Sequence, residues 1–167
     1  MTEAIRVAVL ISSDKGAKGE REDLSGPAIV SKLHGLAEVA AQEIVPDEKE
    51  LIIEKLITYA DELKVDIVFT SGGTGLAPRD VTPEATLEVC DRLVPGITDA
   101  MRLRSLEMTD RAMLSRAVAG IRGRTLIINL PGSPKAVREC LDVFLPVMDH
   151  AVETLRGEAV ECAKQPE

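Results

Sequence analysis

Residues 65–85 read VDIVFTSGGTGLAPRDVTPEA, in which an apolar run, a glycine-rich loop and a helix start follow one another directly. The run from Val65 to Phe69 predicts a buried strand. Three glycines and three hydroxyl residues then fall within positions 70–75. Thr82 and Pro83 predict a helix N-terminus, with a hydroxyl cap and a proline in the first turn. A strand, a loop of small residues and a helix in this order predict a phosphate-binding turn of an α/β fold.

Asp80 lies within this turn, where its charge would repel a bound phosphate. We therefore expect the Asp80 carboxylate to hold a cation or to take part in catalysis. The glycines alone are a weak signal, because a Gly-Gly-x-Gly turn is often purely structural. The stretch lacks the Gly-Lys-Ser/Thr of a Walker loop and the Gly-x-Gly-x-x-Gly of dinucleotide folds, so any phosphate binding here follows a less common pattern.

The flanking sequence continues the alternation of strands and helices. Strands are predicted at 5–11, 38–45, 65–71, 117–121 and 125–130, and helices at 25–36, 47–63, 83–93, 98–108 and 135–155, the last bent at Pro146. Residues 12–23 are predicted to be a mobile loop. The order predicts a three-layer α/β/α domain with a mostly parallel sheet and an antiparallel strand. A single domain is expected over residues 1–167, with its core at about 5–155 and a frayed tail after Gly157.

Three further segments are expected beside the glycine loop, at the carboxyl ends of the parallel strands. They are residues 12–14, Pro46-Asp47 and the loop 129–134, in which Ser133 is predicted to cap a helix. Asp47 has two interpretations at this stage. With Glu50 three residues later it forms a capping-box pattern, and it also delivers a carboxylate to the same rim.

Composition excludes several functions. The net charge is −8, with 28 acidic and 20 basic residues, which argues against general nucleic-acid binding. The aromatic residues are only Tyr59, Phe69 and Phe144. Stacking on an aromatic platform is therefore disfavoured, and a bound purine or pterin would lie against aliphatic side chains, peptide planes or glycine. His34 and His150 lack the spacing of zinc ligands.

The cysteines, the length of the apolar runs and the first residues give an indication of cellular location. The three cysteines, Cys90, Cys140 and Cys162, are far apart and predict free thiols in a reducing compartment. No apolar run approaches membrane-spanning length, and the first residues lack signal-peptide character. We therefore expect a cytoplasmic protein that does not act at a membrane.

Taken together, the motifs resemble the molybdopterin adenylyltransferase family, which includes the MogA and MoaB proteins and the G domain of plant and animal molybdenum-cofactor proteins. They run in the family's order over nearly the whole chain. The matching motifs are Ser-Gly-Pro at 25–27, Val-Pro-Asp-Glu at 45–48, Gly-Gly-Thr-Gly at 72–75, Pro-Arg-Asp-Val-Thr-Pro-Glu-Ala at 78–85, Met-Leu-Ser-Arg at 113–116 and Leu-Pro-Gly-Ser-Pro at 130–134.

The resemblance implies transfer of AMP from Mg-ATP to the terminal phosphate of molybdopterin, with release of pyrophosphate. Mg²⁺ is then the expected cofactor, and ATP and molybdopterin are the expected substrates. Asp47 and Asp80 align with the family's two functionally important aspartates, and Asp80 is the candidate Mg²⁺ ligand. The candidate substrate-binding residues are Ser12, Asp14, Ser71, Gly72, Gly73, Thr74, Gly75, Arg79, Leu130, Pro131, Gly132, Ser133 and Pro134.

Two alternatives remain open from the sequence: an inactive pterin-binding relative and a nucleotide phosphohydrolase. The segment 95–116 is rich in apolar residues, which predicts an interface between copies of the chain. The resemblance implies a homotrimer, with a hexamer as the alternative, and a molybdenum-insertion protein as the downstream partner.

Overall fold

A computed structural model describes residues 3–158 of the chain. Its strands are β1 (Arg6–Ser12), β2 (Glu38–Val45), β3 (Ile67–Ser71), β4 (Arg92–Leu93), β5 (Ala119–Arg122) and β6 (Thr125–Leu130). They form one sheet in the order β2-β1-β3-β6-β5-β4. β2, β1, β3 and β6 are parallel, whereas β5 is antiparallel to both of its neighbours. The predicted mostly parallel sheet with an antiparallel strand is confirmed.

Helices cover both faces of the sheet. They are α1 (Asp14–Ala17), α2 (Ser25–Leu33), α3 (Lys49–Ile57), α4 (Thr82–Val89), α5 (Pro95–Leu106), α6 (Pro134–Phe144) and α7 (Met148–Arg156). α2, α5, α6 and α7 pack on one face, and α3 and α4 pack on the other. A π-helical turn over Thr58–Glu62 extends α3, and a 3-10 turn over Leu145–Val147 separates α6 from α7. The predicted bend at Pro146 is confirmed.

β1 shows why its sequence is apolar at almost every position. Val7 and Val9 belong to the core beneath α2 and α6, whereas Ala8 and Leu10 belong to the core beneath α3 and α4. All four side chains are fully buried. Since alternate residues of a strand point to opposite faces, a strand that is covered on both faces has no polar side.

Two local predictions about the fold are wrong. Residues 12–23 are not only a loop, because they contain α1, whose first turn is stabilised by the Ser13 hydroxyl accepting a hydrogen bond from the Gly16 amide at 3.0 Å. The helix predicted over 83–93 ends at Val89, and the edge strand β4 follows it. That strand depends on pairing with β5, which is distant in sequence. The tail beyond residue 158 lies outside the described residues.

The connections diverge between β1 and β3. The chain leaves β1 toward α2 on one face of the sheet, and it leaves β3 toward α4 on the other face. In parallel sheets such a divergence opens a crevice at the carboxyl ends of the strands, where ligands bind. The glycine-rich loop starts at this point, because Ser71 is the last residue of β3.

Candidate functional site

A cleft with a volume of about 530 Å³ lies at this divergence. The loops that follow β1, β2, β3 and β6 all contribute to its wall, as predicted. Of the predicted site residues, the structure brings together Ser12, Asp47, Ser71, Gly72, Gly73, Asp80, Gly132, Ser133 and Pro134 around the cleft.

Asp47 faces β1 and does not cap α3. One carboxylate oxygen, Oδ1, accepts a hydrogen bond from the Ser12 hydroxyl at 2.5 Å, and Oδ2 accepts one from the Asp14 amide at 2.9 Å. The cap position of α3 is occupied by Glu48, without a side-chain hydrogen bond. The capping interpretation of Asp47 is therefore wrong, since the extended backbone at Glu48 separates Asp47 from the first helical turn.

Asp14 and Arg79 join the loop after β1 to the loop after β3. The Arg79 guanidinium donates to both carboxylate oxygens of Asp14, from Nε at 2.5 Å and from Nη2 at 2.9 Å. The Asp47 amide also donates to Asp14 Oδ1 at 3.0 Å. The hydrogen bonds from Arg79 and from this amide lower the pKa of Asp14 to about 2. Asp14, Arg79 and Asp47 therefore hold the loops together at the edge of the cleft.

The glycine-rich loop requires glycine at two positions. Gly72 has φ +92°, and a Cβ there would lie 2.4 Å from the Ser12 carbonyl oxygen. Gly73 has φ +67°, and its Cβ would lie 2.4 Å from the Thr82 hydroxyl. Both conformations are left-handed, and both positions lack room for a side chain. The loop can therefore run directly against the end of β1.

Backbone amides of both strand-to-helix loops are available to a ligand. Within residues 3–158, no protein acceptor takes a hydrogen bond from the amides of Gly73, Thr74 or Gly75. The same is true of the amides of Gly132 and Ser133 in that part of the chain. Free consecutive amides in a glycine loop form a concave site for an anion.

The loop after β6 is fixed by the hydroxyl groups of three serines. Ser71 donates to the Pro131 carbonyl and Ser25 to the Gly132 carbonyl, each at 2.8 Å. The Ser133 hydroxyl accepts from the Ala136 amide at 3.2 Å and caps α6, with Pro134 as the first helical residue. The predicted cap at Ser133 is confirmed. Leu130 is buried in the core behind this loop.

Asp80 is held within its own short turn. Its Oδ2 accepts from the Ala77 amide at 3.0 Å, and its amide donates to the Ala77 carbonyl at 2.9 Å. Thr82, predicted as the cap of α4, is instead the first residue of the helix. Its hydroxyl is buried and makes no hydrogen bond within the described residues, because it packs beneath Gly73. The prediction of a Thr82 cap is wrong.

Arg116 is a site residue to which sequence reasoning assigned no role. It follows a 3-10 turn over Asp110–Leu114 and reaches the glycine loop from outside. Its guanidinium bonds the carbonyls of Gly75 and Asp80 and forms an ion pair with Glu84. Only its presence in the Met-Leu-Ser-Arg motif at 113–116 pointed to it.

A second, apolar cavity of about 280 Å³ lies on the other side of the glycine loop. Three of the predicted residues, Thr74, Gly75 and Pro131, line it, together with side chains of α5 and α6. The glycine loop therefore separates a polar cleft from an apolar cavity.

The described part of the chain contains no cluster of side chains with enough potential ligands to bind a metal ion. No group of three or more His, Cys, Asp or Glu side chains could hold a metal ion among residues 3–158. No helix in the same range is both long and apolar enough to span a bilayer.

A family model, similar sequences and similar solved structures all indicate the same relationship. Residues 8–150 match the family model described as "Probable molybdopterin binding domain". The molybdopterin adenylyltransferase of Helicobacter pylori J99 is 45% identical over 162 residues, covering 95% of this chain and 92% of that protein. The molybdopterin biosynthesis enzyme MoaB of Thermus thermophilus has 53% identity and a TM-score of 0.88, covering 94% of this chain and 99% of that one. The tungsten cofactor synthesizing protein MoaB of Pyrococcus furiosus has 37% identity and a TM-score of 0.82, covering 93% and 99%.

Proposed function

This chain belongs to the molybdopterin adenylyltransferase family, and we propose that it transfers AMP from ATP to the terminal phosphate of molybdopterin in the cleft between β1 and β3. It is a nucleotidyltransferase of molybdenum cofactor biosynthesis. Pyrophosphate is the second product of the proposed reaction.

The observation that carries the proposal is the pair of amide-lined loops at one cleft. Gly73 of one loop and Gly132 and Ser133 of the other all line the cleft. Two anions, the nucleotide and the pterin phosphate, must be aligned for AMP transfer. Since the attacking phosphate is already negatively charged at neutral pH, little general-base catalysis is needed. The protein instead has to position both groups and to stabilise developing charge.

The two aspartates support different parts of this task. Both oxygens of Asp47 accept hydrogen bonds from the protein, so Asp47 orients the Ser12 hydroxyl and the start of α1 toward the cleft. Asp80 has one oxygen, Oδ1, to which no donor in residues 3–158 is bonded. That oxygen is the better candidate to meet the substrate or its counterion.

These residues fit Mg²⁺ that arrives with ATP. Mg²⁺ prefers oxygen ligands and commonly binds one or two carboxylates together with phosphates and water. Asp80 Oδ1 would supply the carboxylate oxygen, and the absence of a larger acidic cluster in the described range is consistent with an ion that the nucleotide carries. When bound, the ion would neutralise charge on the phosphates.

The apolar cavity behind the glycine loop supports binding of one of the two heterocycles. Its exposed wall is mostly apolar and holds no aromatic ring, although polar residues such as Thr98, Arg102 and Ser105 also line it. A flat ring can pack there against Gly75 and Pro131 while its phosphate remains near the loop amides. Phosphate and ring would then occupy opposite sides of one loop.

Exposed side chains on α5 and the turn that follows it support self-association. Leu103, Met108, Met113 and Leu114 are exposed, whereas Met101 is buried in the core. Such a concentration of apolar side chains is typical of an interface. We propose a closed homotrimer built on this surface, in the cytoplasm, with a molybdenum-insertion protein receiving the adenylylated pterin.

The test is a direct product assay with purified protein, ATP, Mg²⁺ and molybdopterin. The proposal predicts one adenylylated pterin for each pyrophosphate released, and no ATP loss when molybdopterin is omitted. ATP loss without the pterin would instead identify a phosphohydrolase. Binding of both ligands without product would identify an inactive relative.

A further inference from the structure

Arg116 holds the glycine loop by donating hydrogen bonds to backbone carbonyls of that loop, which take no part in helix or strand hydrogen bonding. Its backbone amide donates to the Thr74 carbonyl at 2.9 Å. Its Nε donates to the Gly75 carbonyl at 2.7 Å, and its Nη2 donates to the Asp80 carbonyl at 2.6 Å. Three carbonyls of one loop are therefore satisfied by a single residue that lies 36 positions beyond Asp80 in sequence.

The two carbonyls bonded by the guanidinium lie on either side of the turn that carries the Asp80 carboxylate. Asp80 itself is linked only to Ala77 within that turn. A rigid, planar guanidinium that bridges Gly75 and Asp80 fixes the separation of the two ends of the turn. The direction of the Asp80 side chain depends on that separation.

Arg116 also connects the loop to α4. Its Nη1 pairs with Glu84 in the first turn of that helix. Burial is the largest single influence on the pKa of Glu84 and acts to raise it, but the hydrogen bond from Arg116, the Glu84 amide and the charges of Arg116 and Lys49 together lower the pKa. The Arg116 side chain is one-third exposed, with a fractional exposure of 34%, and an ion pair this accessible contributes little stability by itself. The carbonyl bridge is therefore the more important part of the arrangement.

We propose that Arg116 is a positioning residue for AMP transfer, which acts by bridging Gly75 and Asp80 so that the Asp80 carboxylate faces the cleft. The inference rests on the proposed function of the cleft. It assigns Arg116 no contact with substrate. It predicts that loss of the bridge lowers kcat, while the fold and the remaining phosphate-binding loop stay intact.

The experiment compares Arg116→Met with Arg122→Met in the purified full chain. Arg122 is a matched control, because it also pairs with a carboxylate, that of Asp61, and bonds a backbone carbonyl, that of Val89. It lies at the opposite end of the sheet from the cleft, at the turn between β5 and β6. We expect kcat to fall on the order of tenfold to a hundredfold in Arg116→Met. We expect less than a twofold change in Arg122→Met.

Two further variants separate the bridge from the charge. Arg116→Lys keeps the charge but cannot bond both carbonyls in the same geometry, so we expect it to restore little of the rate. Glu84→Gln removes the ion pair and leaves the bridge, so we expect a rate close to that of the unmodified chain. An equal loss in Glu84→Gln and Arg116→Met would overturn the proposal in favour of the ion pair.

A double-mutant cycle shows whether Arg116 acts through Asp80. In single-turnover assays, Arg116→Met should have much less effect in an Asp80→Asn background than in the unmodified chain. Full additivity would contradict the proposal, as would failure of both Arg116 variants to fold while Arg122→Met folds normally. If the unmodified chain forms no adenylylated pterin, the proposed function fails. If that chain is active and Arg116→Met is unimpaired, only the inference fails.

Discussion

The loops after β3 and β6 look alike in sequence but are held in place differently. Each is rich in glycine or proline, follows a buried strand and leads into a helix. The loop after β6 is fixed by three serine hydroxyl groups: Ser133, which caps the loop's own helix, and Ser25 and Ser71, which come from other parts of the chain. The loop after β3 has no such cap, since the Thr82 hydroxyl makes no hydrogen bond within the described residues, and the Arg116 guanidinium instead bonds two carbonyls of this loop.

This difference indicates that the two loops have different roles. A loop that its own helix cap stabilises can serve as a fixed anion site. In the loop after β3, the Asp80 carboxylate keeps one oxygen, Oδ1, to which no donor in residues 3–158 is bonded, so it is available to a ligand. We therefore expect loss of the Ser133 cap to affect stability alone and loss of the Asp80 charge to affect the reaction most.

The largest effect is expected for Asp80→Asn. Asparagine keeps the size of the side chain but removes the charge, so we expect AMP transfer to fall on the order of a hundredfold or more while the fold is retained. Pyrophosphate release at saturating Mg²⁺ and a thermal unfolding curve measure the two properties. Turnover near that of the unmodified chain would exclude this role for Asp80.

Alanine substitutions at two glycines test the geometry of the loops. Gly72→Ala forces a left-handed residue and a Cβ at 2.4 Å from the Ser12 carbonyl oxygen, so we expect a loss of about 1–3 kcal/mol or more in unfolding free energy. In Gly132→Ala, the nearest neighbour of the new Cβ is the Gly72 Cα at 3.6 Å. We expect a change within about 0.5 kcal/mol. Urea unfolding of both variants measures the contrast, and equal losses would show that the two loops are equally constrained.

Asp47→Ser tests whether Asp47 binds to β1 or caps α3. Serine could cap a helix but could not reach both Ser12 and the Asp14 amide. We therefore expect unfolding free energy to fall by about 1–3 kcal/mol, as in Asp47→Ala. A serine variant as stable as the unmodified chain, alongside a destabilised alanine variant, would restore the capping interpretation.

Ser133→Ala should have a smaller effect, confined to stability. Loss of the hydrogen bond from the Ala136 amide removes a helix cap, which costs about 1 kcal/mol. The melting temperature should fall slightly and should recover in Ser133→Asp, since aspartate also caps well. No recovery would mean that the serine hydroxyl has another role.

The smallest effect concerns the titration of Asp14. The folded pKa of about 2 lies below the ordinary value of 3.8, so its stabilising effect is present above about pH 4 and is lost as pH falls toward 2. At pH 4, the NMR shift of the Asp14 carboxyl carbon should still be that of a carboxylate. In Arg79→Met, the midpoint of this titration should move upward, toward the ordinary value of 3.8. Identical titrations would show that Arg79 does not hold Asp14 in solution.

Local patterns were enough to predict part of the fold and of the site. Strand β1 and the antiparallel turn at Gly123 were predictable, because burial and turn chemistry are encoded in neighbouring residues. The side-chain partners of Asp47 and Arg116 were not predictable in this way. Asp47 carries a good capping pattern, but backbone geometry directs it to β1. The contacts of Arg116 exist only after α5 and β5 have packed, so no periodicity or spacing indicates them.

The most direct test is a crystal structure with molybdopterin and an ATP analogue whose α–β bridge cannot be cleaved. The account predicts nucleotide and pterin phosphates in the cleft between β1 and β3, within about 3 Å of the amides of Gly73 and Gly132. It also predicts that the Asp80 carboxylate faces them. Phosphates bound away from both loops, with Asp80 turned from the ligands, would contradict it.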